Sequence, residues 1–138
     1  MKPVLLDTGV IVALLDRSER FHRRCVEVVE GLGSPLVTCE AVIAESCYLL
    51  RSLGGAPESV LENVVRGVFQ TPFQLSRSAA GVRRTLQKYR DLPADFADAC
   101  LVALAGDLGT GDILTLDRDF ETYRWRRNRR FRLLVPLT

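Results

Sequence analysis

The stretch VLLDTGVIVALLD, from Val4 to Asp16, places an acid inside a run of apolar residues. Val4 to Leu6 has the composition of a short buried strand, and the residues from Thr8 onward have helical spacing. Asp7 between them has three interpretations. It is the N-cap of the helix, a member of an acidic site at a strand end, or half of an aspartic protease dyad, because Asp-Thr-Gly also marks that class. The rest of the chain has to decide between them.

Strand-like and helical segments alternate along the whole chain. Short apolar runs predict strands, and apolar residues at helical spacing between Gly and Pro breakers predict helices. The predicted strands are Lys2–Leu6, Leu36–Thr38, Pro72–Leu75, Ile113–Leu116 and Phe131–Val135. The predicted helices are Thr8–Asp16, Ser18–Glu30, Glu40–Leu53, Glu58–Phe69, Ser78–Tyr89 and Pro93–Asp107. This alternation predicts an α/β protein with a mainly parallel central sheet, which excludes the all-β aspartic proteases.

The composition of the 138 residues is that of one folded domain, spanning residues 1–138. Its longest apolar run, Val4 to Leu15, is too short to cross a membrane and contains Asp7. We therefore expect a cytoplasmic protein with no membrane partner. The four cysteines have no C-x-x-C spacing and His22 is the single histidine, so we expect reduced core thiols rather than a zinc site.

Positive charge is concentrated near the C-terminal end. Residues 118–138 contain seven arginines against two acids, a local charge of +5 in a chain of net charge +2. Arginines interleaved with Trp125 and followed by Phe131 are typical of surfaces that bind single-stranded nucleic acid. The alternative is a solvated loop before the last strand. The candidate RNA-binding residues are Arg124, Arg126, Arg127, Arg129 and Arg130.

Two acids follow predicted strands. Asp7 ends the run Val4 to Leu6, and Asp117 ends the run Ile113 to Leu116. Two parallel strands would bring both carboxylates to the same edge of the sheet, where sites form in open α/β proteins. The simpler alternatives are a helix cap for Asp7 and a turn residue for Asp117.

Two further acids lie on apolar faces of predicted helices. Glu45 shares a face with Val42 and Leu49, three positions before it and four after it. Asp98 is followed by apolar residues at three, four and seven positions, so we expect it to point inward. Asp95 lies on nearly the same face as Asp98.

Convergence of Asp7, Glu45, Asp98 and Asp117 would be costly without a counter-charge. Each pair of carboxylates at about 6 Å repels by roughly 3 kcal/mol at an effective dielectric of about 20. Six such pairs together exceed the roughly 5–15 kcal/mol of stability of a typical domain. Such a cluster must protonate, separate or hold a cation, and oxygen ligands favour Mg²⁺ or Mn²⁺. A divalent ion beside arginines is typical of phosphoryl chemistry.

Four sequence blocks support that interpretation in order: LLDTGVIVALLD, TCEAVIAESCYLL, PADFADACLVALAGDLG and ILTLDRDF. Together they resemble the PIN domain family, in particular the VapC-type toxins of bacterial toxin–antitoxin pairs. The resemblance implies a three-layer α/β/α sandwich and a magnesium- or manganese-dependent endoribonuclease. It also implies an RNA substrate, a small antitoxin partner and a homodimer.

Position by position, the resemblance assigns the catalytic and metal-binding acids to Asp7, Glu45, Asp98 and Asp117. Thr8, Asp95, Thr115 and Asp119 are possible accessory residues, with Asp117 fitting the Thr-x-Asp position better than Asp119. The alternative function is a non-catalytic PIN-fold module that binds RNA or protein. A phosphatase with Asp7 as its nucleophile is disfavoured, because it needs a second acid where this chain has Gly9.

Overall fold

A computed structural model describes residues 2–92 and 94–138 of the chain. The helices are α1 (Thr8–Leu15), α2 (His22–Gly31), α3 (Glu40–Leu49), α4 (Ala56–Val65), α5 (Leu75–Lys88) and α6 (Phe96–Leu108). The strands are β1 (Val4–Leu6), β2 (Leu36–Val37), β3 (Phe69–Gln70), β4 (Asp112–Leu114), β5 (Arg124–Trp125), β6 (Arg129–Arg130) and β7 (Arg132–Leu133). A short 3₁₀ helix covers Arg118–Glu121.

The central sheet has the strand order β3-β2-β1-β4-β7, and every neighbouring pair in it is parallel. The chain leaves β1 toward β2 on one side, whereas β7 lies beyond β4 on the other side. The direction of winding therefore reverses between β1 and β4. In open parallel sheets, the crevice outside the carboxyl ends of two such strands is the usual place for a binding site.

Helices flank the sheet, which confirms the predicted three-layer α/β/α class. Helix α1 contacts α2, α3 and α4, and α3 contacts α4. Helix α5 packs along α6, and α3 also contacts α6. The strands β1 and β4 are central, and their apolar side chains, with those of α1 and α6, form the fully buried core. No helix within the described ranges has the length and apolar character to cross a membrane.

The helices that flank the reversal point begin at acidic caps. Asp7 has an extended backbone, and its Oδ1 accepts a hydrogen bond from the Thr8 N–H at 2.8 Å. Asp95 is the corresponding cap of α6, where its Oδ1 accepts from the Asp98 N–H at 2.8 Å. Each cap satisfies one of the amide donors that a helix leaves unpaired at its first turn. The backbone conformation of Asp7 and its hydrogen bond therefore confirm the interpretation of Asp7 as the N-cap of α1.

One predicted strand is wrong. The sequence pattern placed a strand at Pro72–Leu75, but the third strand is Phe69–Gln70, and α5 already begins at Leu75. Helix α4 ends at Val65, and Gly67 adopts a positive φ of 77°. Phe69, which was predicted to end that helix, therefore lies in β3 and is buried in the sheet. Pro72 has no N–H to donate to a strand ladder, which explains why pairing stops before it.

The remaining predicted elements exist with shifted ends. The predicted Glu40–Leu53 helix ends at Leu49, the Ser18–Glu30 helix starts at His22, and the Ile113–Leu116 strand ends at Leu114. The strand predicted from Lys2 starts at Val4, and the one predicted at Phe131–Val135 is only Arg132–Leu133. Pro93, the predicted first residue of α6, lies outside the described residues.

The arginine-rich segment is a small antiparallel hairpin of β5 and β6 rather than a loop. Trp125 and Phe131 are only 6% and 8% exposed, and the Trp125 indole N–H donates to the Arg130 carbonyl at 3.0 Å. Neither aromatic ring is therefore exposed for stacking with a base. Their apolar area is used to attach the hairpin to the core.

Candidate active site

An open cleft lies outside the carboxyl ends of β1 and β4, at the reversal point of the sheet. Its volume is about 400 Å³. Five acids from four parts of the chain line it, which are Asp7, Glu45, Asp95, Asp98 and Asp117. We call it the acidic cleft. Leu49, Leu116, Thr8 and Gly9 complete its lining.

Asp7 lies at the bottom of the acidic cleft and is only 6% exposed. Its Oδ2 accepts a hydrogen bond of 2.7 Å from the Thr115 hydroxyl, and its Oδ1 accepts the capping N–H of Thr8. Burial raises the pKa of Asp7 from 3.8 to about 6, and the charges of Asp117 and Glu45 add to the rise, whereas the two hydrogen bonds oppose it. Asp7 is thus held in place in an environment that disfavours its charged form.

Thr115 connects two of the acids. Its hydroxyl donates to Asp7 and accepts the backbone N–H of Asp117 at 3.0 Å. Asp117 lies three residues beyond the end of β4, caps the 3₁₀ helix by accepting from the Asp119 N–H, and lines the cleft. Asp119 is not part of that lining. The structure therefore places Asp117, rather than Asp119, beside Asp7.

Asp98 is buried in the first turn of α6, and the apolar side chains that follow it on its face are buried as predicted. Its Oδ2 accepts a hydrogen bond of 3.0 Å from the Tyr123 hydroxyl. Burial, followed by the charges of Asp95 and Asp7, raises the pKa of Asp98 from 3.8 to about 7 despite the Tyr123 hydrogen bond. Burial and the neighbouring Asp98 also raise the pKa of Tyr123, so its hydroxyl stays a donor.

Tyr123 is the site residue that the sequence analysis missed. It is fully buried, and its ring makes edge-to-face contacts with Tyr89 and Phe120 at centroid distances of 5.0 and 4.9 Å. It lies 25 residues from Asp98, so no local spacing could have linked them. The one available signal was that a buried tyrosine needs a partner for its hydroxyl.

Glu45 and Asp95 lie nearer to solvent. Glu45 is half-buried on α3, but Leu49, one turn later, is 54% exposed at the cleft. The predicted inward face of α3 is therefore correct for Val42 and wrong for Leu49. Asp95 is exposed and has a defined structural role as the cap of α6, in addition to facing the cleft.

The acidic cleft has chemistry that suits a hard cation, although its side chains are not arranged as a closed cage. Within the described part of the chain, no three His, Cys, Asp or Glu side chains form a ready-made metal-binding group. The cleft nevertheless offers carboxylate oxygens only, and two of its acids are buried with raised pKa values. In addition, the Thr8 Oγ1 beside them is buried and has no hydrogen-bond partner among the described residues. An orphaned hydroxyl among buried carboxylates fits a site that accepts a hydrated cation.

The cysteines are not part of the acidic cleft. Cys25, Cys39 and Cys100 are buried free thiols, and Cys47 is half-buried. This agrees with the expectation of reduced core thiols.

The arginines predicted to bind RNA divide into two groups. Arg124, Arg126 and Arg127 face a second cleft beside α5, whereas Arg129 and Arg130 are exposed on β6 and do not line it. The structure therefore brings three of the five together, away from the floor of the acidic cleft.

Comparison with known proteins identifies the fold that carries this cleft. The profile of the PIN domain family matches residues 4–126. The chain belongs to the PIN domain family. Among curated proteins, this PIN domain is 31% identical over 117 residues to Ribonuclease VapC26 of Mycobacterium tuberculosis (strain ATCC 25618 / H37Rv). That match covers 83% of this chain and 87% of the relative.

A solved structure shares the fold of this PIN domain at lower sequence identity. It is that of Mycobacterium tuberculosis VapC20, a sarcin-ricin loop cleaving toxin. The two superpose with a TM-score of 0.78 over 86% of this chain and 93% of that chain, at 17% identity. At this identity the similarity establishes the parallel sheet and its flanking helices.

Proposed function

We propose that this PIN domain is an endoribonuclease that hydrolyses RNA phosphodiester bonds at the acidic cleft, and that it is the toxin of a toxin–antitoxin pair. The observation that carries the proposal is the group of acids from four parts of the chain at the sheet's reversal point, two of them buried. The naming of VapC26 as a ribonuclease supports it, since that relative matches most of both chains.

We propose that the cleft works with Mg²⁺ or Mn²⁺. The oxygen-only donor set, the raised pKa values of Asp7 and Asp98 and the orphaned Thr8 hydroxyl all fit such an ion. Asp7 and Asp98 would hold it, with Glu45 and Asp117 completing the site directly or through water. A divalent ion supplies charge neutralisation of the phosphodiester and a water of lowered pKa.

The other residues of the cleft position the acids. Thr115 fixes the orientation of the Asp7 carboxylate and the backbone of Asp117 at once. Tyr123 fixes Asp98, and the Thr8 N–H fixes the second oxygen of Asp7. Because these donors are themselves buried, the acids are preorganised, as a catalytic site requires.

The test is RNA cleavage by the purified protein, free of any partner, with and without Mg²⁺. We expect wild type to cleave RNA, a chelator to stop cleavage, and Asp7→Asn to reduce the rate by at least ~100-fold, since loss of a charged transition-state contact costs about 3 kcal/mol or more. Asp91→Asn is the control, because Asp91 is exposed and outside the cleft. Full activity in a folded Asp7→Asn protein would rule out this assignment. Binding of RNA with no turnover by wild type would favour the non-catalytic module.

We also propose a small antitoxin partner, a homodimer and a cytoplasmic location, as the family resemblance implies. Large apolar side chains exposed on α3 and α4 support a protein partner, since such patches mark interaction surfaces. They include Tyr48 at 61%, Leu61 at 50% and Val65 at 80% exposure. Light scattering of the isolated protein checks the dimer, and a monomer at all concentrations would contradict it.

A further inference from the structure

A second cleft, of about 560 Å³, lies between α5, α6 and the β5–β6 hairpin. Its lining contains six basic side chains and a single acid, Asp107. The basic residues are Arg77, Arg84, Lys88, Arg124, Arg126 and Arg127. We call it the basic cleft.

The positive charge of the basic cleft is not neutralised within the protein. The segment from Leu75 to Arg90 contains five basic residues and no acid. In the described residues, the ion pairs are Arg118–Glu121 and Arg132–Asp112, and neither pair lines this cleft. Asp107 instead accepts a hydrogen bond of 3.2 Å from the Ser78 hydroxyl. A concave surface of one charge sign focuses the field and attracts anions.

Helix α5 supplies its basic residues from one face. Arg77, Arg84 and Lys88 are separated by seven and four residues, which places them along one side of a helix. The opposing wall comes from α6, where Ala103 and Gly106 line the cleft and the Arg126 side chain lies against Gly106. The cationic side chains of α5 and of the hairpin therefore face the same groove.

The arginines of the hairpin are partly fixed by backbone carbonyls. The Arg126 guanidinium donates to the Gly106 carbonyl at 3.2 Å, and Arg124 Nη1 donates to three carbonyls of residues 121–123. Among the described hydrogen bonds, none involves the guanidinium of Arg77, Arg84 or Arg127. The Lys88 ammonium has none either and lies over the Tyr89 ring at 5.3 Å. The side-chain cations of Arg77, Arg84, Arg127 and Lys88 are therefore available to a ligand.

A chain of side-chain contacts through the interior connects the basic cleft with the acidic cleft. Tyr89 lines the basic cleft, and its hydroxyl accepts the Arg124 N–H at 2.8 Å. The Tyr89 ring contacts that of Tyr123, whose hydroxyl in turn donates to Asp98 in the acidic cleft. Residues at the edge of the basic cleft therefore pack against the residue that holds Asp98.

We propose that the basic cleft binds the phosphodiester backbone of the RNA flanking the bond that is cut, with Arg77 and Arg84 as its principal contacts. The proposal rests on the proposed ribonuclease function and extends it to residues of α5. Arginine pairs with phosphate through two parallel hydrogen bonds, and contacts of this kind hold the backbone without reading its sequence. The excess of cationic side chains in the cleft and the proposed ribonuclease function favour RNA over an acidic peptide.

The test measures binding of a fluorescent, mixed-sequence single-stranded RNA at several salt concentrations by anisotropy. Every protein in this measurement carries Asp7→Asn, so that the RNA is not cleaved while its binding is measured. The Arg77→Gln/Arg84→Gln double variant is expected to bind roughly tenfold more weakly. It should also lower the slope of log affinity against log salt by about 1.4, because each phosphate contact on a single strand contributes about 0.7. Arg83→Gln/Arg90→Gln is the matched control, because these arginines belong to the same segment but do not line the cleft. Its RNA affinity and the salt dependence of that affinity should equal those of the protein that carries Asp7→Asn alone.

Equal losses in both double variants, or no loss in either, would overturn the proposal. Loss of binding to a polyglutamate peptide, with RNA binding unchanged, would also overturn it and assign the cleft to an acidic protein partner.

In the otherwise wild-type protein, Arg77→Gln/Arg84→Gln should raise KM for RNA cleavage and leave kcat unchanged. If wild type cleaves no RNA, the ribonuclease function fails, whereas the anisotropy still decides whether the basic cleft binds RNA.

Discussion

Asp7 has two opposing effects on the stability of the folded chain. As the N-cap of α1 it stabilises the helix by about 1 kcal/mol. Its burial raises its pKa from 3.8 to about 6, which corresponds to about 3 kcal/mol of destabilisation when the carboxylate is charged. The folded state binds the proton more tightly than the unfolded state. The favourable contribution of that proton is therefore full below the unfolded pKa and is lost as the pH rises through about 6.

We expect Asp7→Asn to increase the free energy of unfolding in the absence of divalent cations. Asn keeps an oxygen for the cap and removes the buried charge, so the gain should approach ~3 kcal/mol at about pH 8 and be small at about pH 4. Urea unfolding at both pH values measures it. Asp16→Asn is the control, since hydrogen bonds from Ser18 lower the pKa of Asp16, and that variant should gain nothing at the higher pH. A less stable Asp7→Asn protein at the higher pH would contradict this account.

Single residues could be predicted from sequence where the chain next to them carried the signal. The apolar residues after Asp98 correctly indicated that it points inward, and the two apolar runs correctly placed Asp7 and Asp117 at the same edge of the sheet. The Tyr123 hydrogen bond to Asp98 could not be predicted, because it depends on how the segment after the 3₁₀ helix packs against α6. Leu49 has the spacing of a core residue but faces the open cleft.

At the scale of elements, helices were predicted better than strands. Helical spacing extends over eight or more residues, whereas β2, β3 and β7 are two residues long and leave almost no periodic signal. The β5–β6 hairpin was missed because its Arg-rich composition indicated a solvated surface. The burial of Trp125 beneath it depends on Gly111, which is distant in the sequence.

We expect Gly111→Ala to destabilise the protein by about 1–3 kcal/mol, as overpacking of a well-packed core does. A Cβ on Gly111 would overlap the Trp125 indole, which is buried and bonded to the Arg130 carbonyl. Chemical denaturation measures the effect. Gly31→Ala is the control, because Gly31 ends α2 with open space around it and should lose no stability. Equal stability of Gly111→Ala and wild type would show that Trp125 does not depend on this contact.

For the molecule as a whole, the alternation of elements correctly predicted a parallel sheet, but not the strand order. That order depends on long-range pairing, and it determines that the winding reverses at β1 and β4. The basic face of α5 was also missed, because acids elsewhere in the chain offset its charge in the total for the residues before the C-terminal segment. The folded protein therefore has an acidic cleft and a separate basic cleft.

We propose that the buried acids of the acidic cleft hold a divalent cation. Calorimetric titration of Mn²⁺ into chelator-treated protein at neutral pH tests this proposal most directly. The titration compares wild type with Asp98→Asn and with the control Asp91→Asn, whose residue is exposed. The account predicts that wild type and Asp91→Asn bind Mn²⁺ alike, and that Asp98→Asn binds at least ~10-fold more weakly while remaining folded. Equal binding by Asp98→Asn and wild type, or no binding by wild type, would contradict it.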